Sequence, residues 1–145
     1  MELSVQCING NTRLPKYHSE GAAGADLYAF LASPVTIIPS QRILISTGVQ
    51  ISIPEGFEIQ VRPRSGLALK HGISILNTPG TIDSDYRGEI GVLLINHGDS
   101  PFVIEDGDRI AQIVVSPVVR AVFTLSKTLN STGRGTGGYG STGKN

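Results

Sequence analysis

Val49-Gln-Ile-Ser-Ile-Pro-Glu-Gly-Phe-Glu-Ile-Gln-Val61 places an apolar side chain at every second position on either side of a Pro54-Glu55-Gly56 corner. In a strand, successive side chains point to opposite faces, so Val49, Ile51 and Ile53, and then Phe57, Ile59 and Val61, each line one face of a pleated ribbon. Ile90, Val92 and Leu94 repeat the pattern. Turn residues at Pro39-Ser40, Pro79-Gly80, His97-Gly98-Asp99 and Asp106-Gly107-Asp108 cut the chain at the intervals expected of short strands. The sequence therefore predicts an all-β fold, a jelly roll or β-sandwich. Ser65 to Lys70 is the one helical stretch, with Ser65 as N-cap and Gly72 as terminator, long enough for one or two turns.

A length of 145 residues suits one core rather than two, so a site in a cleft between domains is not expected. Twelve Lys and Arg balance 12 Asp and Glu, leaving no global field for nucleic acid or a membrane surface. Any bound anion must be held by local arrangement. Cys7 is the single cysteine, which rules out an internal disulfide and a zinc site of several thiolates. No apolar run is long enough to span a bilayer, and the first ten residues lack a leader pattern, so a soluble cytoplasmic protein is expected.

Five segments carry possible chemistry. Asn77 to Ile90 reads as strand, turn and strand with Asp83, Asp85 and Tyr86 in the connection; it is either a hairpin whose backbone reads a flat polar ring or a solvated acidic turn. Arg64 and Ser65 stand at the mouth of the short helix, where free N–H groups favour an anion, unless this is simply a capped helix with surface arginines. Asp26 lies among small and apolar neighbours and needs a partner, a hydrated metal ion or a buried hydrogen bond. Gln112 interrupts the apolar run Ile110 to Val115 and either faces a site or satisfies a sheet edge. From Ser131 to Asn145 the composition turns to Gly, Ser and Thr, with Arg134, Tyr139, Ser141 and Thr142 among the glycines; this is a phosphate-wrapping arm or a solubilising tail. His18, His71 and His97 have no ligand spacing, and there is no nucleophile elbow, phosphate loop or zinc-protease signature.

Taken in order, Ala23-Gly-Ala-Asp-Leu-Tyr28, Pro63-Arg-Ser-Gly-Leu-Ala68, Gly80-Thr-Ile-Asp-Ser-Asp-Tyr-Arg-Gly88, Gly107-Asp-Arg-Ile-Ala-Gln112 and Arg134-Gly-Thr-Gly-Gly-Tyr-Gly-Ser-Thr-Gly143 resemble the five motifs of the trimeric dUTPases. The resemblance implies a jelly-roll subunit of residues 1–130 with residues 131–145 as its lid. It also implies a homotrimer with active sites between subunits and magnesium-dependent hydrolysis of dUTP to dUMP and pyrophosphate. Asp83 matches the residue that activates the attacking water, and Asn77 with the backbone of Gly80, Thr81 and Ile82 the uracil-reading positions. Tyr86 matches the ring under the deoxyribose that leaves no room for a 2′-hydroxyl. Arg64, Ser65, Gly66 and Gln112 match phosphate-side residues, and Asp26 the carboxylate that holds magnesium through water. Arg134, Tyr139, Gly140, Ser141 and Thr142 match the lid, where the family more often carries Phe at the position of Tyr139. The rival readings are an enzyme resembling the dCTP deaminases of the same fold and a non-catalytic dUTP-sensing trimer; the intact Asp-Ser-Asp-Tyr segment and tail favour hydrolysis.

Overall fold

In the computed structural model, which describes residues 1–139, the alternating stretches are strands whose apolar members face one interior. Chain order is β1 (Ser4–Cys7), β2 (Ala25–Tyr28), β3 (Val35–Ile37), β4 (Arg42–Ile45), β5 (Val49–Ser52) and β6 (Phe57–Arg62), then α1 (Ser65–His71). There follow β7 (Ile73–Ile75), β8 (Gly80–Ile82), β9 (Val92–Asn96), β10 (Phe102–Ile104) and β11 (Arg109–Pro117). The pairings are β2-β11-β6-β8, β4-β9-β7, β1-β5 and β10-β3, every one of them antiparallel. Sequential strands seldom pair, and the chain crosses repeatedly between sheets as a jelly roll does.

Val49, Ile51, Ile53, Ile59, Val61, Ile90, Val92 and Leu94 are all buried, as their period requires, while Phe57 packs at the edge of the same core. Fully buried apolar positions among the described residues are Ala, Leu, Ile and Val, and the β-branched ones suit a pleated surface. Burying each large aliphatic side chain contributes about 1.5–3 kcal/mol relative to exposure. Buried Asn11, Thr47 and Asn96 keep their polar atoms hydrogen-bonded, so the interior carries no unmet donor of this kind among the described residues.

Two expectations need correction. Ser65 is the first helical residue of α1 and not its cap: Arg64 takes the cap position in extended conformation, without a side-chain cap bond. Arg64's side chain is instead engaged in the ion pair described below, and its extended backbone makes Ser65 the first helical residue. Gly72 ends it as expected, in the left-handed conformation at φ 67°, donating to the carbonyl oxygens of Ala68 and Leu67. Second, Asn77–Ile90 is not a hairpin. β8 pairs with β6 and β9 with β4 and β7, so the Asp83–Tyr86 turn leads from one sheet to another. Val118 N still donates to Gly56 O, and Val119 to Thr136 are exposed and form neither strand nor helix. No helix among the described residues is long and apolar enough to cross a membrane.

Candidate active site

β11 lies between β2 and β6, and its register sets Gln112 opposite Asp26 on one side and Arg62 on the other. A bulge between Arg109 and Ala111 turns the strand's first residue toward the same place. There the Asp26 carboxylate, largely shielded from solvent, accepts from Arg64 Nε at 3.2 Å on Oδ1 and from Arg109 Nη1 at 3.3 Å on Oδ2. Arg64 Nη1 also donates to the Arg109 carbonyl at 3.1 Å, and His18 Nε2 stands 3.5 Å from Asp26. Asp26 thus has protein partners for its charge. Gln112 donates from Nε2 to Pro63 O at 3.0 Å and rests on Gly24, where any side chain would overlap its amide. Two guanidinium groups, one amide and the start of α1 at Ser65 and Gly66 therefore share one edge of the fold.

A separate open hollow of about 450 Å³ is walled by Thr81 and Ile82 of β8 and by Asp83 and Tyr86 beyond it. Leu44, Ser46, Glu89 and Gly91 close its other side. Gly80 pairs with Val61, and the Asn77 amide lies 3.4 Å from the point where a side chain on Gly80 would begin, so Asn77 and the β8 backbone adjoin. Asp83 is exposed and also borders a second hollow with Asp85 and Arg87. Tyr86 is half-exposed; its hydroxyl donates to the Glu89 carbonyl at 3.0 Å, and its N–H to Asp83 O at 3.2 Å. The Glu89 carboxylate accepts from the Ser46 hydroxyl and from the N–H groups of Gly48 and Thr47. Burial pushes its pKa up, but the bonds from Ser46, Gly48 and Thr47 outweigh this and hold it below the usual carboxylate range.

The dUTPase family model matches residues 11–143. The chain belongs to the dUTPase family. A deoxyuridine 5'-triphosphate nucleotidohydrolase of Chlamydia pneumoniae is 59% identical, over 97% of this chain and 99% of that protein. Among solved structures, a Staphylococcus bacteriophage 80alpha dUTPase mutant with dUpNHpp superposes with a TM-score of 0.88 at 27% identity, covering 98% of each chain. The DUTPase of S. aureus phage phi11, whose structure is described as revealing the coordination of a structural Mg(II) ion, aligns at a TM-score of 0.81 and 25% identity. That match covers 90% of this chain and all of the other. This is a jelly-roll enzyme of the dUTPase family.

In this dUTPase-family chain the predicted site residues form three groups. Asp26, Arg64 and Gln112 cluster at the β2-β11-β6 edge, whereas the wall of the first hollow includes none of them. Arg134 donates to Gly137 O within the arm, and Tyr139 is fully exposed. Gly140, Ser141 and Thr142 lie outside the described residues. Arg109, Ser46 and Glu89 are not singled out by the sequence, and His18, which has no ligand spacing, stands beside Asp26. Arg109 lay inside the quoted Gly107–Gln112 motif and Glu89 inside Asn77–Ile90, so a search for charged residues in those segments finds both. Ser46 carries no local signal, because its role exists only through contact with a residue 43 positions away.

Proposed function

We propose that the chain hydrolyses dUTP to dUMP and pyrophosphate, with Asp83 orienting a water for attack on the α-phosphorus and accepting its proton. The water oxygen forms the new bond to phosphorus, the bond from that phosphorus to the bridging oxygen breaks, and pyrophosphate leaves. The product dUMP then serves thymidylate synthesis while dUTP falls. The observation that carries this reading is the pairing, on one hollow, of an exposed carboxylate at Asp83 with the ring of Tyr86. Asn77 and the main chain of Gly80, Thr81 and Ile82 read uracil, and Tyr86 underlies the deoxyribose and crowds out a 2′-hydroxyl. Arg64, Ser65, Gly66 and Gln112 take the phosphates. Residues 131–145 act as the lid of the 1–130 domain, with Arg134, Tyr139, Gly140, Ser141 and Thr142 closing over the nucleotide.

Magnesium belongs to this reading as an ion carried with the triphosphate. No cluster of three or more His, Cys, Asp or Glu that could cage a metal exists among the described residues. Asp26 nevertheless fits a hydrated ion: Arg64 and Arg109 each use one acceptor position on a different carboxylate oxygen, leaving each oxygen able to accept from a metal-bound water. When bound, the ion neutralises phosphate charge that would otherwise repel the nucleophile.

We further place the working site between the chains of a homotrimer. What supports this is the separation of the three groups within one chain, together with the exposed Val119, Val122, Phe123, Leu125 and Leu129 of the arm. A cytoplasmic setting without nucleic-acid or membrane partners agrees with the balance of 12 basic and 12 acidic residues.

Hydrolysis of dUTP beside UTP, dTTP and dCTP in isotopically labelled water tests the proposal. Pyrophosphate release from dUTP with label in dUMP is expected. Label in pyrophosphate would move the attack off the α-phosphorus, and ammonia release from dCTP without dUTP turnover would overturn the reading.

A further inference from the structure

We infer that Glu89 is a positioning residue for sugar discrimination: it holds the Tyr86 ring in place by anchoring the loop after β8 to the corner between β4 and β5. The inference rests on the reading of Tyr86 as the residue that excludes a 2′-hydroxyl.

Tyr86 occupies the stretch from Asp83 to Gly91, which has no strand ladder to hold it. Its ring is located by its own neighbours. The hydroxyl donates to Glu89 O, and the ring folds back over Gly88, where a Cβ would lie 2.5 Å from the ring's Cζ. The ring therefore goes wherever the Gly88-Glu89 peptide goes. Among the described residues Glu89 has no cation partner; its carboxylate instead receives the Ser46 hydroxyl and the N–H groups of Thr47 at 3.0 Å and Gly48 at 2.7 Å. Hydrogen bonds onto an ionised oxygen are stronger than neutral ones, and three donors from consecutive residues leave the side chain little freedom.

That corner is itself fixed from beneath. Buried Asn11 donates from Nδ2 to Thr47 O at 3.0 Å and Gly48 O at 3.3 Å. Gly48 sits at φ 64° with no room for a side chain against Asn11 and Phe30. Beside Glu89, Thr47 Oγ1 donates to Ile90 O at 2.5 Å and Ile90 N to Val49 O at 2.8 Å, fastening the loop's far end to the same corner. A continuous set of contacts thus runs from the core at Asn11, through Ser46–Gly48 and Glu89, to the ring. Rejection of a hydroxyl by crowding depends on placement to within about 1 Å, so loosening Glu89 is enough to admit it.

The test is the ratio of kcat/KM for dUTP to that for UTP. Glu89→Ala is expected to lower the ratio about tenfold, with Glu89→Gln, which keeps an acceptor oxygen, in between. Tyr86→Ala is expected to lower it further, and the double variant Glu89→Ala/Tyr86→Ala to match Tyr86→Ala alone, since Glu89 acts through the ring. A merely structural role would depress turnover of both nucleotides together and leave the ratio where it was. Additive losses in the double variant, or an unchanged ratio in Glu89→Ala beside a lowered one in Tyr86→Ala, would overturn the inference. An unchanged ratio in Tyr86→Ala would instead defeat the underlying reading of the tyrosine. If Glu89→Ala does not fold, Ser46→Ala and Glu89→Gln carry the same measurement, and a wild-type ratio in both would count against it.

Discussion

A methyl group on residue 24 would collide with the Gln112 amide, whose Cδ lies only 3.0 Å from the position the new carbon would take. Gly24→Ala should therefore swing Gln112 away from Pro63 O, lowering kcat/KM for dUTP by about tenfold while lowering Tm by only a few degrees, since one hydrogen bond of about 1 kcal/mol is lost. Steady-state kinetics beside thermal unfolding checks this; undiminished kcat/KM would remove Gln112 from the phosphate side. At Asp83 the change is chemical rather than steric. Asp83→Asn should still bind dUTP by calorimetry yet turn it over at least about a hundredfold more slowly, the lower end of what a positioned base supplies. Asp26 marks the limit of what single residues disclose. Its need for a partner was plain from its apolar neighbours, but the partners Arg64 and Arg109 lie 38 and 83 positions away, and no local pattern ties them to it. That ion pair occupies the side chain of Arg64, whose extended backbone takes the cap position for which Ser65 is the better residue type.

Elements were legible where their signal is local. The period-two runs around Ile51, Ile59 and Val92 are strands, and Gly72 terminates α1, because alternation and left-handed caps depend on neighbours along the chain. Pairing is not local, so the strand-turn-strand pattern around Asp83 resembles a hairpin along the chain although Gly80 finds its partner in Val61. The end of α1 makes a prediction at this scale. Gly72 and Gly98 pack backbone to backbone, His97 N donates to Gly72 O at 2.9 Å, and a Cβ on Gly72 would stand 2.5 Å from Gly98 N. Gly72→Ala combines left-handed strain with this collision and should destabilise the fold by more than about 1 kcal/mol, read as a lower denaturant midpoint with an unchanged slope. Since α1 also carries Ser65 and Gly66, any folded Gly72→Ala protein should show a raised KM for dUTP as well.

For the whole molecule, the exposed course of Val119 to Thr136 separates activity from stability. Deleting residues 131–145 should sharply lower dUTP turnover while shifting Tm by no more than a few degrees, the scale of about 1 kcal/mol in a domain of this size. A large fall in Tm would show that the tail holds the fold together. Acid should act on the whole fold through carboxylates held below their usual range. For Asp106 the cause is the Arg13 side-chain hydrogen bond and then the Leu31 N–H; for Glu89, donors from the β4–β5 corner overcome the opposing effect of burial. A carboxylate whose folded-state pKa is depressed stabilises the fold fully at neutral pH, and that contribution disappears as pH falls through the folded-state value. Melting temperature should accordingly decline from about pH 5 downward, and less steeply in Glu89→Gln, which has lost one of these titrating groups. β11, paired with β2 from Arg109 to Ile113 and with β6 from Gln112 to Pro117, leaves little tolerance for changes in chain length. One amino acid inserted after Ala111 would rotate everything beyond it by half a period, exchanging inward for outward side chains along two seams at once. Natural length variation in this protein should therefore gather in corners and in the trailing arm, and spare that central strand.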